Sequence, residues 1–234
     1  MEMLSIPNCN FANIDYQITL EMLVGLDNIF KRYPLLRHKI DAIGENTFIV
    51  KEMVKTDKRI NHINTSRYNK SNDDAFFKTI YTWLGDFSKP EYYIKSNVLF
   101  IGLGINSKYS YDELEKQIAL SNKMGNIYAW DIKTSIYHEM GHVFDLVFLL
   151  GADDVFMQNI RKFMSEKRTD YSIYSLTNEH EFIAECFCKY MTDPNFNEAV
   201  NYVGTTIDEY YEKYKSEHKF NENAYREKVL KIKI

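Results

Sequence analysis

Residues 138–142 have the sequence His138-Glu139-Met140-Gly141-His142, and this stretch decides how the rest of the chain is interpreted. On a helix, two histidines four residues apart lie on one face, so both imidazoles can reach one metal ion. The glutamate between them projects beside that metal and can take a proton from a water molecule. With 6 histidines in 234 residues, such a string arises by chance in roughly one chain per hundred of this composition.

A helix of about 20 residues is predicted around this motif. Asp131 is typical of an N-cap, the apolar-periodic run starts at Ile132, and Gly151 is a natural stop. The apolar stripe occupies one side of the helix, and His138 and His142 lie beside it. Metal ligands at these positions therefore need not disturb the packing face. The alternative is that both histidines are ordinary polar residues at the edge of the core.

A third ligand is expected downstream, because a catalytic zinc usually has three protein ligands and one open position. Glu181 and Glu185 are four residues apart in a second predicted helix, so both can point towards the same site. One would bind the metal, and the other would hydrogen-bond a ligand imidazole and fix its tautomer. However, Asn178 and Glu181 also form a capping-box pattern, which would occupy Glu181 and make Glu185 the ligand. The spacing alone leaves both assignments open.

The two motifs together resemble the catalytic domain of anthrax lethal factor and its relatives, which include the clostridial Pro-Pro endopeptidases. The resemblance rests on HEMGHVFD at 138–145, on Tyr174, and on TNEHEFIAECF at 177–187. In that family the pattern is H-E-x-x-H, then a tyrosine, then N-E-x-E-F-x-A-E-x-F. The match covers roughly residues 130–190. The segment Tyr174-Ser175-Leu176-Thr177 departs from the family's Y-G-x-T lead into the second motif, so a loop differs.

The resemblance implies a Zn²⁺ site held by His138, His142 and Glu181. Glu185 would then hydrogen-bond a ligand rather than bind the metal itself.

One alternative is a structural zinc module that organises a binding surface without chemistry, in which a further side chain closes the fourth coordination position. His180 is the only neighbour suited to that task, and on a helix it lies about 100° from Glu181, which directs it elsewhere. Another is a non-catalytic, zinc-stabilised binding protein on a metalloprotease-like fold, and the presence of both Glu139 and Tyr174 argues against it.

The resemblance also implies a reaction. The chain would be a zinc-dependent metalloendopeptidase of the gluzincin type, which hydrolyses peptide bonds of a protein or peptide substrate. Glu139 would be the general base, and Tyr174 would stabilise the developing oxyanion. Tyr171 is the fallback for that hydroxyl, and an ordinary packing role for Tyr174 is the alternative.

Composition limits the partners. The net charge of −4 and the lack of a basic patch argue against nucleic acid. The longest apolar run, 146–150, is too short to span a bilayer. Residues 1–10 carry neither the basic nor the apolar segment of a signal peptide, so we expect a protein that is cytoplasmic as synthesised, with export by another route left open. Three cysteines predict no disulfide framework, and Cys186 and Cys188 suit buried positions.

The predicted fold is α+β. We expect one zincin-like metallopeptidase domain over residues 1–234, with a small mixed sheet, an edge strand above the active site, the H-E-x-x-H helix and a second helix that carries the glutamates. Residues 95–220 would form the catalytic core. Residues 1–94 would add a helix and strands, and the sequence leaves their relation to that core open.

The best strand candidate is 97–106, which is apolar and bounded by polar residues. Gly102 and Gly104 at alternate positions leave one face of this strand without side chains, so another backbone can approach. By resemblance to zinc peptidases, it would be the edge strand that pairs with an extended substrate. The alternative is a bulge or tight packing against a helix.

The remaining segments follow from apolar periodicity and from Gly, Pro and Asn signals. Helices are predicted over 16–31, 75–84, 111–124 and 205–218. Short strands are predicted over 37–43 and 47–54. An exposed loop at 59–74 and a charged tail at 221–234 complete the chain.

Overall fold

The computed structural model describes residues 6–56, 76–83, 98–166 and 170–217. Within these ranges the chain is α+β and mostly helical, with one small mixed sheet, which confirms the predicted class. The strands are β1 (Asn8–Asn10), β2 (Ala42–Glu45), β3 (Phe77–Trp83) and β4 (Val98–Ile105). The helices are α1 (Tyr16–Arg32), α2 (Asn46–Thr56), α3 (Tyr111–Lys123), α4 (Ile132–Phe148), α5 (Asp154–Glu166), α6 (Glu179–Tyr190) and α7 (Glu198–Glu217).

The sheet has the strand order β1-β2-β4-β3, in which only the β3–β4 pair is antiparallel. The prediction that 97–106 forms the edge strand is therefore wrong, because β4 is paired on both sides. Among the described strands, β3 is the edge on the far side of β4. The prediction of a helix over 75–84 is also wrong: β-branched and aromatic residues in this segment suit a pleated surface, and pairing with β4 outweighs their helical spacing.

Gly102 and Gly104 allow α2 to pack against β4. A Cβ atom added at Gly102 would overlap the side chain of Ile49, and one added at Gly104 would overlap the side chain of Asn46. Tight packing against a helix, the alternative to substrate pairing at these glycines, is therefore what the structure shows.

The strands predicted over 37–43 and 47–54 are wrong in most of their length. Pro34–Lys39 forms a 3₁₀ helix, and the strand β2 covers only Ala42–Glu45 before α2 begins. The buried residues of α2 are Ile49, Val50 and Met53, a helical spacing that β-branched residues disguise in the sequence. The predicted helices at 16–31 and 111–124 are confirmed by α1 and α3, whereas α7 begins earlier than 205. The loop at 59–74 and the tail at 221–234 lie outside the described residues.

The core is built around α4, which packs against α1 and α6. One cluster of buried side chains joins residues from before position 94, such as Ile18 and Ile43, to residues after it, such as Phe144 and Phe187. Cys186 and Cys188 are buried within this cluster, as expected. Helix α1 crosses α4 closely at Gly25, where an added Cβ would lie 3.0 Å from a backbone oxygen of α4. In the described part of the chain, no helix has the length and apolarity needed to cross a membrane.

Candidate metal centre

Helix α4 carries the two histidines on a well-defined frame. The side chain of Asp131 caps the helix by accepting a hydrogen bond from the backbone N–H of Thr134 at 2.6 Å, as the sequence predicts. His138 and Glu139 are buried at 8% exposure each, so the motif lies within the fold and not on its surface. The rings of His138 and His142 meet edge to face with centroids 4.9 Å apart, which confirms that they share one face of α4.

Helix α6 brings the two glutamates to the same place. The side chain of Asn178 accepts a hydrogen bond from the backbone N–H of Glu181 at 3.0 Å and caps the helix. The carboxylate of Glu181 does not return the bond that a capping box requires. It points instead at the two histidines of α4, so half of the capping pattern is present and the carboxylate is free for another role.

Gly141, inside the H-E-x-x-H motif, sets how closely α6 approaches α4. A Cβ atom added at Gly141 would lie 2.6 Å from Cα of Ala184 and 3.1 Å from its carbonyl oxygen. The two helices therefore cross backbone to backbone at this point. Ala184 lies between Glu181 and Glu185 along α6, so the crossing brings both carboxylates within reach of α4.

The carboxylate of Glu181 and the two imidazoles form a compact group of donor atoms. Oε2 of Glu181 lies 3.2 Å from Nε2 of His138 and 3.3 Å from Nε2 of His142. Each residue offers one ligand atom, and the three atoms all lie within 4.8 Å of one another. Oε2 of Glu181 is buried and makes no aligned hydrogen bond. Donors held about 2.1 Å from a tetrahedral zinc lie about 3.4 Å apart, so this group fits a zinc ion.

The charges of this group depend strongly on one another. Burial favours the neutral imidazole of His138, but the carboxylates of Glu181 and Glu185 outweigh burial and raise its pKa above the usual value. Burial opposes ionisation of Glu181, yet the two histidines hold its pKa well below the usual range. Without a metal the negative charge of Glu181 is therefore balanced by a proton on the imidazole of His138. A divalent cation would displace that proton and take over that role.

Glu185 lies behind His138 and not among the donor atoms. Its Oε1 is 2.9 Å from Nδ1 of His138, and its Oε2 accepts hydrogen bonds from Tyr128 N at 2.6 Å and from Ser172 Oγ at 2.7 Å. A carboxylate on Nδ1 fixes the ring so that Nε2 is available to a metal. Glu181 thus faces Nε2 of both histidines and Glu185 faces Nδ1 of His138, a choice that helix spacing alone left open.

Glu139 lies beside the donor atoms and contacts the sheet. Its Oε2 accepts a hydrogen bond of 2.8 Å from Oγ1 of Thr79, in the edge strand β3. Oγ1 of Thr79 also lies 3.1 Å from the backbone oxygen of Glu139. Thr79 was not predicted to be a site residue, because 75–84 was predicted to be helical. The β-branched and aromatic content of 77–83 was the signal that could have identified this strand.

Tyr174 lies at the other side of the same group. Its ring centroid is 5.8 Å from that of His138, and the carboxylate of Glu181 acts on its hydroxyl. Burial, followed by the charges of Glu181 and Glu139, raises its pKa above the usual value, so the hydroxyl stays protonated and able to donate. Tyr171, the fallback for this role, instead packs edge-on against Phe182 with centroids 4.9 Å apart.

His180 is turned away from the donor atoms. Its Nδ1 lies 2.5 Å from Oδ2 of Asp145, whose other carboxylate oxygen accepts a hydrogen bond from Gly151 N at 3.1 Å. The contact with Asp145 is the main cause that raises the pKa of His180. Among the described residues, the group that could hold a metal ion contains two histidines and one glutamate. His180 is not part of this group, so it would not occupy the fourth coordination position of a bound metal.

Two cavities meet at this group, and both are lined by His138, Glu139 and Tyr174. One has a volume of about 450 Å³ and continues past Tyr81, His142, Leu146, Leu149 and His180. The other has a volume of about 330 Å³, and its lining includes the apolar residues Phe76, Phe77, Ile127 and Ala129 together with Ser121, Ser135 and Glu185. Cavities of this size with a few convergent polar groups are typical of ligand sites.

Comparisons with protein-family models, with curated proteins and with solved structures found no match for this chain.

Proposed function

We propose that this protein is a zinc-dependent metalloendopeptidase. The observation that carries the proposal is the buried Oε2 of Glu181, which has no aligned hydrogen bond and faces the Nε2 atoms of His138 and His142. Two imidazoles and one carboxylate suit zinc, and three protein ligands with an open fourth position are typical of catalytic rather than structural zinc sites. The sequence resemblance to the lethal factor family supports the same assignment.

Zinc bound to these three residues would lower the pKa of a water molecule towards neutrality and polarise the scissile carbonyl. Glu139 would act on that water. Its carboxylate lies next to the donor atoms and is oriented by the hydroxyl of Thr79. It would take the proton of the attacking water and deliver it to the leaving amine, a contribution of typically ~10²–10⁴-fold.

Tyr174 supplies a hydrogen-bond donor on the other side of the site. Its raised pKa keeps the proton on the hydroxyl, which is what donation to a negatively charged oxygen requires. When a substrate is bound, the hydroxyl would move from Glu181 to the oxyanion of the tetrahedral intermediate. Removal of a single donor of this kind typically costs ~10²–10³-fold in kcat.

The substrate would lie along β3. Thr79 and Tyr81 of β3 line the larger cavity. The smaller cavity beside Phe77, Ile127 and Ala129 would receive an apolar side chain. The class of substrate that we propose is a protein or peptide.

The test begins with zinc content, measured by mass spectrometry on wild-type protein and on Glu181→Ala. We expect about one zinc per chain in the wild type and none in the variant. His180→Ala is the matched control, because it changes the adjacent residue of α6 and should retain the metal. A wild type that takes up no zinc would refute the site.

The second step is a peptide-library cleavage screen of the zinc-loaded protein, with Glu139→Gln beside it. Cleavage by the wild type and none by the variant, at equal zinc content, is the expected result. A wild type that holds zinc and cleaves nothing would instead support the alternative of a zinc-stabilised binding protein. Equal cleavage by both proteins would refute the role of Glu139.

A further inference from the structure

Ser172 is a buried residue that the proposed reaction does not use. Its hydroxyl donates a hydrogen bond to Oε2 of Glu185 at 2.7 Å and accepts one from the backbone N–H of Ser175 at 3.2 Å. The side chain is 2% exposed, so these contacts are shielded from water. One small hydroxyl thus joins helix α6 to the turn that follows position 170.

The first of these contacts connects Ser172, through Glu185, to His138, which is one of the residues that would hold the metal. The carboxylate of Glu185 is planar, with one oxygen on Ser172 and the other 2.9 Å from Nδ1 of His138. Tyr128 N is the only other hydrogen-bond donor that the structure shows on Oε2 of Glu185 among the described residues. Loss of the Ser172 hydroxyl would leave this buried carboxylate with a single donor on that oxygen. The carboxylate would then hold the imidazole of His138 less firmly.

The second contact leads to Tyr174. Ser172 and Ser175 bracket this residue, and Oγ of Ser175 donates back to the carbonyl oxygen of Ser172 at 2.7 Å. The backbone N–H of Tyr174 is held by the carbonyl of Asn126 at 2.9 Å. The Ser172 hydroxyl is therefore one side-chain link between this turn, which contains Tyr174, and α6, the helix that carries Glu181.

We propose that Ser172 is a positioning residue that sets two groups relative to the metal at once, the imidazole of His138 through Glu185 and the hydroxyl of Tyr174 through its turn. The link to Tyr174 rests on the proposed peptidase function. The link to His138 does not, because it is measured by zinc binding alone.

The first experiment measures zinc affinity by competition with a chromogenic chelator, without any substrate. Removal of a hydrogen-bond partner behind a ligand typically weakens metal binding by about 10–100-fold, and we expect the lower end of that range for Ser172→Ala. Ser175→Ala is the matched control: its hydroxyl is in the same turn and is also buried, but it does not contact Glu185. Ser172→Thr retains the hydroxyl and should restore most of the affinity. Unchanged affinity in folded Ser172→Ala would overturn the link to His138.

The second experiment is a double-mutant cycle on kcat at saturating zinc, with Ser172→Ala, Tyr174→Phe and the double variant. Residues that act through a common group give non-additive effects. We expect Ser172→Ala to lower kcat about tenfold in the wild type and by less than about twofold when Tyr174 has already lost its hydroxyl. Effects that multiply in the double variant would overturn the link to Tyr174. If zinc affinity changes as expected but no peptide is cleaved by the wild type, the peptidase proposal fails while the link to His138 stands.

Discussion

Gly141→Ala tests whether the close crossing of α4 and α6 sets the metal geometry. The added Cβ would lie 2.6 Å from Cα of Ala184, whereas ordinary contact begins at 3.4 Å, so the helices must separate by about 0.8 Å. The two nearest atoms, Cα and the carbonyl oxygen of Ala184, belong to the backbone, so no side chain can rotate away to relieve the overlap. Distances between a bound metal and its ligand atoms are held to within about 0.2 Å. The separation of the helices would therefore leave the carboxylate of Glu181 too far from a metal bound to His138 and His142.

Two effects of this substitution act in opposite directions on stability. Alanine is favoured over glycine inside a helix by about 1 kcal/mol, whereas overpacking a tight interface typically costs about 1–3 kcal/mol. We expect the metal-free variant to be destabilised by about 0–2 kcal/mol in urea denaturation. Zinc affinity, measured by chelator competition, should fall by at least about tenfold, since misplacement near 1 Å is costly for a preorganised site.

Gly204→Ala is the matched control for this experiment. Its added Cβ would overlap the ring of Tyr190, at the far end of α6, so it also strains the packing of that helix. We expect comparable or greater destabilisation but nearly wild-type zinc affinity, because the segment between Glu181 and Glu185 stays in place. If Gly141→Ala binds zinc as tightly as the wild type, the crossing does not set the site and our reasoning is refuted.

Three further predictions concern the same centre. Glu139→Gln should keep one zinc per chain and lose at least about 10²-fold in kcat, which zinc analysis and a peptide assay on the same sample would check. Glu185→Ala should weaken zinc binding by about 10–100-fold and Glu181→Ala should abolish it; the reverse order would exchange the two carboxylates. The pKa of His138 is raised in the folded, metal-free protein. Protonation of His138 therefore stabilises the folded, metal-free protein at pH values below the usual pKa of 6.5, and this contribution is lost as the pH rises through the raised pKa. Zinc should reverse this trend, since it binds the deprotonated ring, and melting temperatures of both forms against pH would show it.

Helix α4, which carries His138 and His142, was predictable because its signals are local. The cap at Asp131, the apolar period and the four-residue spacing of His138 and His142 depend only on residues within a few turns of one another, and all are present in the structure. The strands were less predictable because pairing is decided by distant segments. Residues 97–106 form a strand as expected, but the sequence contains no local sign that 77–83 would pair with it and take the edge.

The same division applies to the site residues. Thr79 lies 60 positions before Glu139 in the chain, and Ser172 lies more than 30 positions after His138. No spacing rule connects either residue to the motif. Each is identified as a site residue only by a contact in the structure. Thr79 contacts the carboxylate of Glu139, and Ser172 contacts that of Glu185.

The sequence by itself determined that two histidines and two glutamates occupy single faces of two helices, because the turn of a helix places residues four apart on one face whatever surrounds it. It did not determine which glutamate faces the histidines. Only the tertiary structure decided that, because the choice depends on how α6 is rotated and how closely it approaches α4. The backbone contact of Gly141 with Ala184 sets that approach, and it directs Glu181 to Nε2 and Glu185 to Nδ1 of His138.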